Sequence, residues 1–154
     1  MSDGLVSMLS SLVEAWDGSM LLRFSGLSNA SALLYHQLED VSWVGFYLTD
    51  QSGENLVLGP FQGKVACGRI PFGRGVCGTA AQEKRTVVVP DVHRFPGHIA
   101  CDPASQSELV VPLVLDDRVV GVLDIDSGTV GRFTTEDAAA LAACAGVLVS
   151  KLFA

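Results

Sequence analysis

The chain has 154 residues, 49% of them apolar and 18% charged, with a net charge of -7. That length suits one ordinary domain with a full core, and that composition excludes global disorder. The negative balance argues against nucleic acid and against an anionic membrane surface, both of which need a basic face. No apolar run reaches the roughly 20 residues of a membrane-spanning helix, and MSDGLVSML lacks the basic start of a signal peptide. A cytoplasmic location is expected, where cysteines stay reduced and a disulfide is transient and catalytic.

In chain order, apolar residues at Leu5, Leu9, Leu12, Val13 and Trp16 predict a helix, ended by Gly18. Ala30, Leu33, Leu34 and Leu38 predict a second over 28–39. The texture then changes to short runs bounded by turn residues. Residues 44–48, 55–58 and 64–67 read as strands of a meander. Glycines 73 to 78 lead into a short helix over 76–83, followed by a strand at 86–89. The segment 91–107 is irregular, and a loop of that length is commonly functional. Residues 109–115 and 118–126 form a hairpin across Asp116-Asp117, and Thr134 with Asp137 makes a capping box for a last helix over 136–152. No internal repeat or linker appears. The expected fold is α+β, one domain over 1–154, with a mainly antiparallel central sheet flanked by helices.

Three of the four cysteines, Cys67, Cys77 and Cys101, lie between Gly59 and Pro112. Cys144, beside Leu141, Ala145 and Leu148, reads as a small core residue. Cys77 starts the short helix, where the dipole favours a thiolate, although Val76 and Ala80 make plain packing an equal alternative. Cys67 ends a run before Gly68. Cys101 stands in the polar loop HIACDPAS, where a thiol has little packing reason to exist. With His93 and His98 these thiols are five potential zinc ligands. Structural zinc sites show a C-x₂₋₄-C knuckle, and no two cysteines here are so close, so no metal is expected.

Asp124 and Asp126 are two apart in VVGVLDID and leave the same face of a strand. The hairpin brings Glu108 to their level. Three such carboxylates are either solvated, or bind something positive, or keep at least one proton. Trp43 and Tyr47 share a face of the first strand, and Gly45 between them suggests open space above the sheet. An aromatic wall beside acids suits an amine-bearing ligand, while ordinary core packing is the plainer reading of both rings.

The runs GPFQGKVACGRIPFGRGVCGTAA, DVHRFPGHIACDPASQSELVVPL, GVLDIDS and WVGFYL together resemble the free methionine-(R)-sulfoxide reductases, stand-alone GAF-domain enzymes. The resemblance covers essentially the whole chain. One departure is Gly128, at a place associated with proline. The resemblance implies that Cys101 attacks the sulfoxide sulfur and becomes a sulfenic acid. It implies that Cys67 closes a disulfide with Cys101, that Cys77 is an auxiliary thiol, and that thioredoxin recycles the enzyme without a bound cofactor. Glu108 and Asp126 would polarise the sulfoxide oxygen, one of them protonated through mutual repulsion. Asp124 would meet the substrate ammonium, loop N–H groups its carboxylate, and Trp43 and Tyr47 would wall the pocket. A homodimer is common for this fold. The competing class is a GAF module that binds a small ligand or signals redox state without catalysis. Such modules feed an output domain, and none is expected after the last helix.

Overall fold

Strands with apolar residues on both faces must be covered twice, and this chain covers its sheet on both sides. The computed structural model describes residues 2–154. Two helices come first, α1 (Ser2–Leu12) and α2 (Met20–Gln37), then strands β1 (Trp43–Thr49), β2 (Asn55–Gln62) and β3 (Arg69–Pro71). Helix α3 (Gly75–Glu83), β4 (Val87–Val89), β5 (Ser107–Leu115), β6 (Arg118–Ser127) and α4 (Thr135–Leu152) complete the chain. A single 3-10 turn, Val92–Arg94, lies between β4 and β5. The six strands form one antiparallel sheet in the order β3-β2-β1-β6-β5-β4.

One face carries Val44, Phe46, Leu109, Val111, Leu113, Leu123 and Ile125, packed under α1, α2 and α4. Burying each such side chain contributes about 1.5–3 kcal/mol. Cys144 belongs to this core, and burial pushes its thiol up to about 11. The opposite face carries Trp43, Tyr47, Val87, Val89, Val110 and Val122, covered by α3 and the loops around it.

Local signals set the joints. Asp116 and Asp117 both take positive φ, 49° and 64°, the paired geometry of a two-residue hairpin turn. Thr134 and Asp137 exchange the two hydrogen bonds of a capping box at the start of α4.

Several expected boundaries differ. Helix α1 ends at Leu12, not Trp16, because Trp16 leaves the helix to donate its backbone N–H to Lys151 O. Helix α2 starts at Met20, eight residues earlier than the stripe suggested, since Ser19 caps it by accepting from Leu22 N. Gly26 hid this turn from the periodicity. Its bare backbone lets Leu152 approach to 2.9 Å of where a Cβ would stand. Residues 64–67 form no strand. They make a loop folded over the sheet, and the strand that pairs with β2 is Arg69–Pro71.

Candidate functional site

Register builds the site. Trp43 pairs with Asp126, Asp126 with Glu108, and Glu108 with Val89, which makes one row across β1, β6, β5 and β4. The next row on that face is Gly45, Asp124, Val110 and Val87. Alternation therefore points Glu108, Asp124 and Asp126 toward the α3 side. Helix α3 crosses above and sets Cys77 over the acids, with its Sγ 3.9 Å from Glu108 Oε2.

The aromatic residues act as props. Trp43 Nε1 donates to Lys64 O at 3.0 Å, and Tyr47 Oη donates to Cys67 O at 3.0 Å. These two bonds hold the loop that carries Cys67 above the sheet. The long loop before β5 closes the other side and brings Cys101 to Cys67. The two are joined in a disulfide, with Cα atoms 5.5 Å apart, an ordinary bridge separation.

Between these parts lies a cavity of about 40 Å³, enough for roughly three waters. Trp43, Tyr47, Cys77, Cys101, Glu108, Asp124 and Asp126 all line it. Cys67 reaches it through the disulfide and its packing against the same cluster. Sequence reasoning missed Arg74 and Asp102 on the wall. Arg74 was legible only as part of the glycine-rich loop FGRGVCG, and Asp102 only as the neighbour of Cys101. His98, weighed before as a zinc ligand, lines the pocket with Nε2 3.8 Å from Glu108 Oε1. His93 points elsewhere, exposed and bonded to Asp91.

One expectation is overturned, and of the two equal readings of Cys77 the packed one fits its surroundings. The face above Gly45 is not open: the Trp43 ring would stand 2.6 Å from a Cβ there, and Phe61 stacks on Trp43 with ring centroids 5.2 Å apart. Cys77 is not a dipole-activated thiolate. It is only 4% exposed, and burial, then the charge of Asp124, pushes its thiol well above the usual range.

The acids are unusual in the same way. Burial, and then the charge of Asp126, raises Glu108 to about 8. Burial and Glu108 raise Asp124, and burial and Asp124 raise Asp126. Burial thus leads and repulsion follows, where the sequence suggested repulsion alone. At neutral pH Glu108 keeps its proton and can donate it. Burial lowers His98, which favours its neutral form.

A stability test follows from linkage. The folded-state value of Glu108 lies above its ordinary 4.5, so the folded form holds the proton more tightly. Its stabilising effect is complete below about 4.5 and is lost as pH rises through about 8. Glu108→Gln, which cannot ionise, should gain melting temperature relative to the parent across that window. Parallel melting curves for the two proteins would count against a buried, proton-holding Glu108.

Sheet, helices and pocket together make a GAF-type fold carrying a disulfide beside buried acids, and the sequence matches the GAF domain family over residues 23–150. The chain is 60% identical over 111 residues to the free methionine-R-sulfoxide reductase of Escherichia coli, an alignment spanning 72% of this chain and 66% of that protein. The reduced form of fRMsr from Staphylococcus aureus superposes with a TM-score of 0.89 at 48% identity, covering 98% of this chain and 94% of that one. The free methionine-R-sulfoxide reductase of Neisseria meningitidis in complex with its substrate gives a TM-score of 0.90 at 43% identity, covering 98% and 87%. The chain belongs to the GAF-domain family, within its free methionine-R-sulfoxide reductase branch. Among the described residues, no helix is long and apolar enough to cross a membrane.

Proposed function

We propose that the protein reduces free methionine-R-sulfoxide to methionine by a thiol cycle run on Cys101 and Cys67. The observation that carries the reading is the Cys67–Cys101 disulfide, set in the wall of a pocket that also holds the buried Glu108 carboxyl, raised to about 8. The activities named for the Escherichia coli and Neisseria meningitidis relatives support it.

The Cys101 thiolate attacks the sulfoxide sulfur while Glu108, assisted by Asp126, protonates the departing oxygen. The protonated oxygen passes from the methionine sulfur to Cys101 Sγ as the S–O bond and the transient S–S bond break, so methionine leaves as a thioether and Cys101 is left as a sulfenic acid. The Cys67 thiol then attacks that sulfur, forming the disulfide and releasing water. A thioredoxin-type dithiol reduces the bridge and is itself oxidised. Each turnover consumes two thiols and converts one sulfoxide to one thioether, so the cycle balances on thiols alone.

Asp124 receives the substrate ammonium. Arg74 and the N–H groups of the loops receive its carboxylate. Both contacts require a free amino acid, since a peptide-bound residue carries neither charge. The tight cavity requires the covering loops to open before an amino acid enters. Cys77 remains the auxiliary thiol of the cycle, held too high to attack first.

The test is turnover with dithiothreitol as reductant. The free R sulfoxide should be reduced well, and the S epimer and an N-acetylated, C-amidated sulfoxide poorly. Comparable turnover of the blocked substrate would remove the charge contacts from this account.

Tyr47→Phe separates the two thiol steps. It deletes the hydrogen bond to the Cys67 carbonyl, a contact of about 1 kcal/mol, and leaves the ring in place. The first methionine should appear near the parent rate, while disulfide closure slows several-fold. A closure rate equal to the parent's would show that this hydrogen bond does not position Cys67.

A further inference from the structure

Three groups of the pocket also make a set that the thiol cycle uses only one by one. Cys77 is a free, buried thiol, and its Sγ, a Glu108 oxygen and an Asp124 oxygen all lie within 4.8 Å of one another. Beside them, Asp124 Oδ1 is buried with no hydrogen-bond partner among the described residues, on a residue only 5% exposed. A buried acceptor left without a donor is costly, and a metal cation can meet it in place of the substrate ammonium assigned to Asp124 above. We propose that Cys77, Glu108 and Asp124 form a site for a thiophilic divalent cation, zinc being the type, which occupies the pocket in competition with the amino-acid substrate. The competition rests on the function proposed above. The binding rests on the ligand set alone.

The geometry and chemistry agree with such an ion. Zinc takes Cys sulfur at about 2.3 Å and carboxylate oxygen at about 2.0–2.2 Å in a tetrahedron, so two such ligands stand roughly 3.5 Å apart. The Cys77–Glu108 separation is 3.9 Å and the whole set lies within 4.8 Å, so the three groups draw together to close on the ion. Magnesium and calcium favour shells of oxygen, often with water, whereas a thiolate selects zinc-like ions. Binding expels the thiol proton, and any proton on the ligating carboxyls, to solvent. No atom changes oxidation state. His98 Nε2 stands 3.8 Å from Glu108 Oε1, outside the three-ligand set, which leaves the fourth position for water. Sequence spacing could not show this set, because its members come from α3, β5 and β6 and meet only through the register.

Cobalt titration of the protein held in its Cys67–Cys101 disulfide form tests the site, since Cys77 and Cys144 are then the free thiols. A thiolate-to-cobalt charge-transfer band should saturate at one ion per chain and vanish on adding zinc. It should persist in Cys144→Ala and be absent in Cys77→Ser. Asp124→Asn should weaken cobalt binding by more than about tenfold, the lower range of even outer-shell changes at metal sites. No band in the parent protein, or a band that survives Cys77→Ser, overturns the site. In the reduced Cys67→Ser/Cys101→Ser protein, free methionine sulfoxide should raise the apparent cobalt dissociation constant, and an unchanged constant overturns the competition. A cobalt site in a protein with no reductase activity would sink the proposed function and leave the metal site standing. An active enzyme without the band would do the reverse.

Discussion

Cys101→Ser should form no methionine, in a single turnover or at steady state. A hydroxyl is a far weaker nucleophile at sulfur than a thiolate, and it cannot take the oxygen as a sulfenic acid. The structure also argues against rescue. Cys77, the other thiol lining the pocket, is buried against Glu108 and Asp124, which oppose its ionisation. Cys144 lies in the helical core on the opposite face of the sheet. Cys67→Ser should behave differently, releasing about one equivalent of methionine and then stalling as a sulfenic acid on Cys101. The measurement is methionine per chain after mixing pre-reduced protein with excess sulfoxide. A large fraction of an equivalent from Cys101→Ser would move the attack to another thiol.

Glu108→Gln should slow single-turnover chemistry by about two or more orders of magnitude, the range general acid catalysis supplies. Glutamine keeps the shape and can still offer an N–H, but it has no proton to transfer. The pH dependence identifies the group. Glu108 holds its proton up to about 8, so the acid is present at neutral pH and disappears as pH climbs through that value. In the parent enzyme the rate of the reductive step should therefore fall above about 8, and in the variant that falling limb should be missing. Asp124→Asn should chiefly raise KM, as removal of a uniform binding contact does. Should Glu108→Gln reduce the free sulfoxide at the parent rate, the proton donor lies elsewhere. A parent-like falling limb in the variant would assign that limb to another group.

Much of this was legible in the sequence because the signals were local. The capping box at Thr134 and the Asp116-Asp117 turn fixed the last helix and the hairpin, and hairpin parity then set Glu108 level with Asp126. What stayed hidden depends on tertiary placement. Residues 64–67 have strand-like composition, but donors on Trp43 and Tyr47 hold them as a loop over the sheet. Cys77 has a helix-start position that suggests a thiolate, and only its burial over the acids reverses that. The glycine at 45 reads as empty space until Phe61 from the neighbouring strand fills it. Arg74 and Asp102 carry no pattern of their own and enter the site only when α3 and the long loop close over the sheet.

The most direct measurement is one turnover of the pre-reduced protein with a single equivalent of free methionine-R-sulfoxide, followed by thiol blocking and non-reducing peptide mapping. The account predicts about one methionine per chain and a peptide pair joined through Cys67 and Cys101, with Cys77 and Cys144 recovered as blocked thiols. No methionine, or a Cys77–Cys101 pair as the only link, would contradict it.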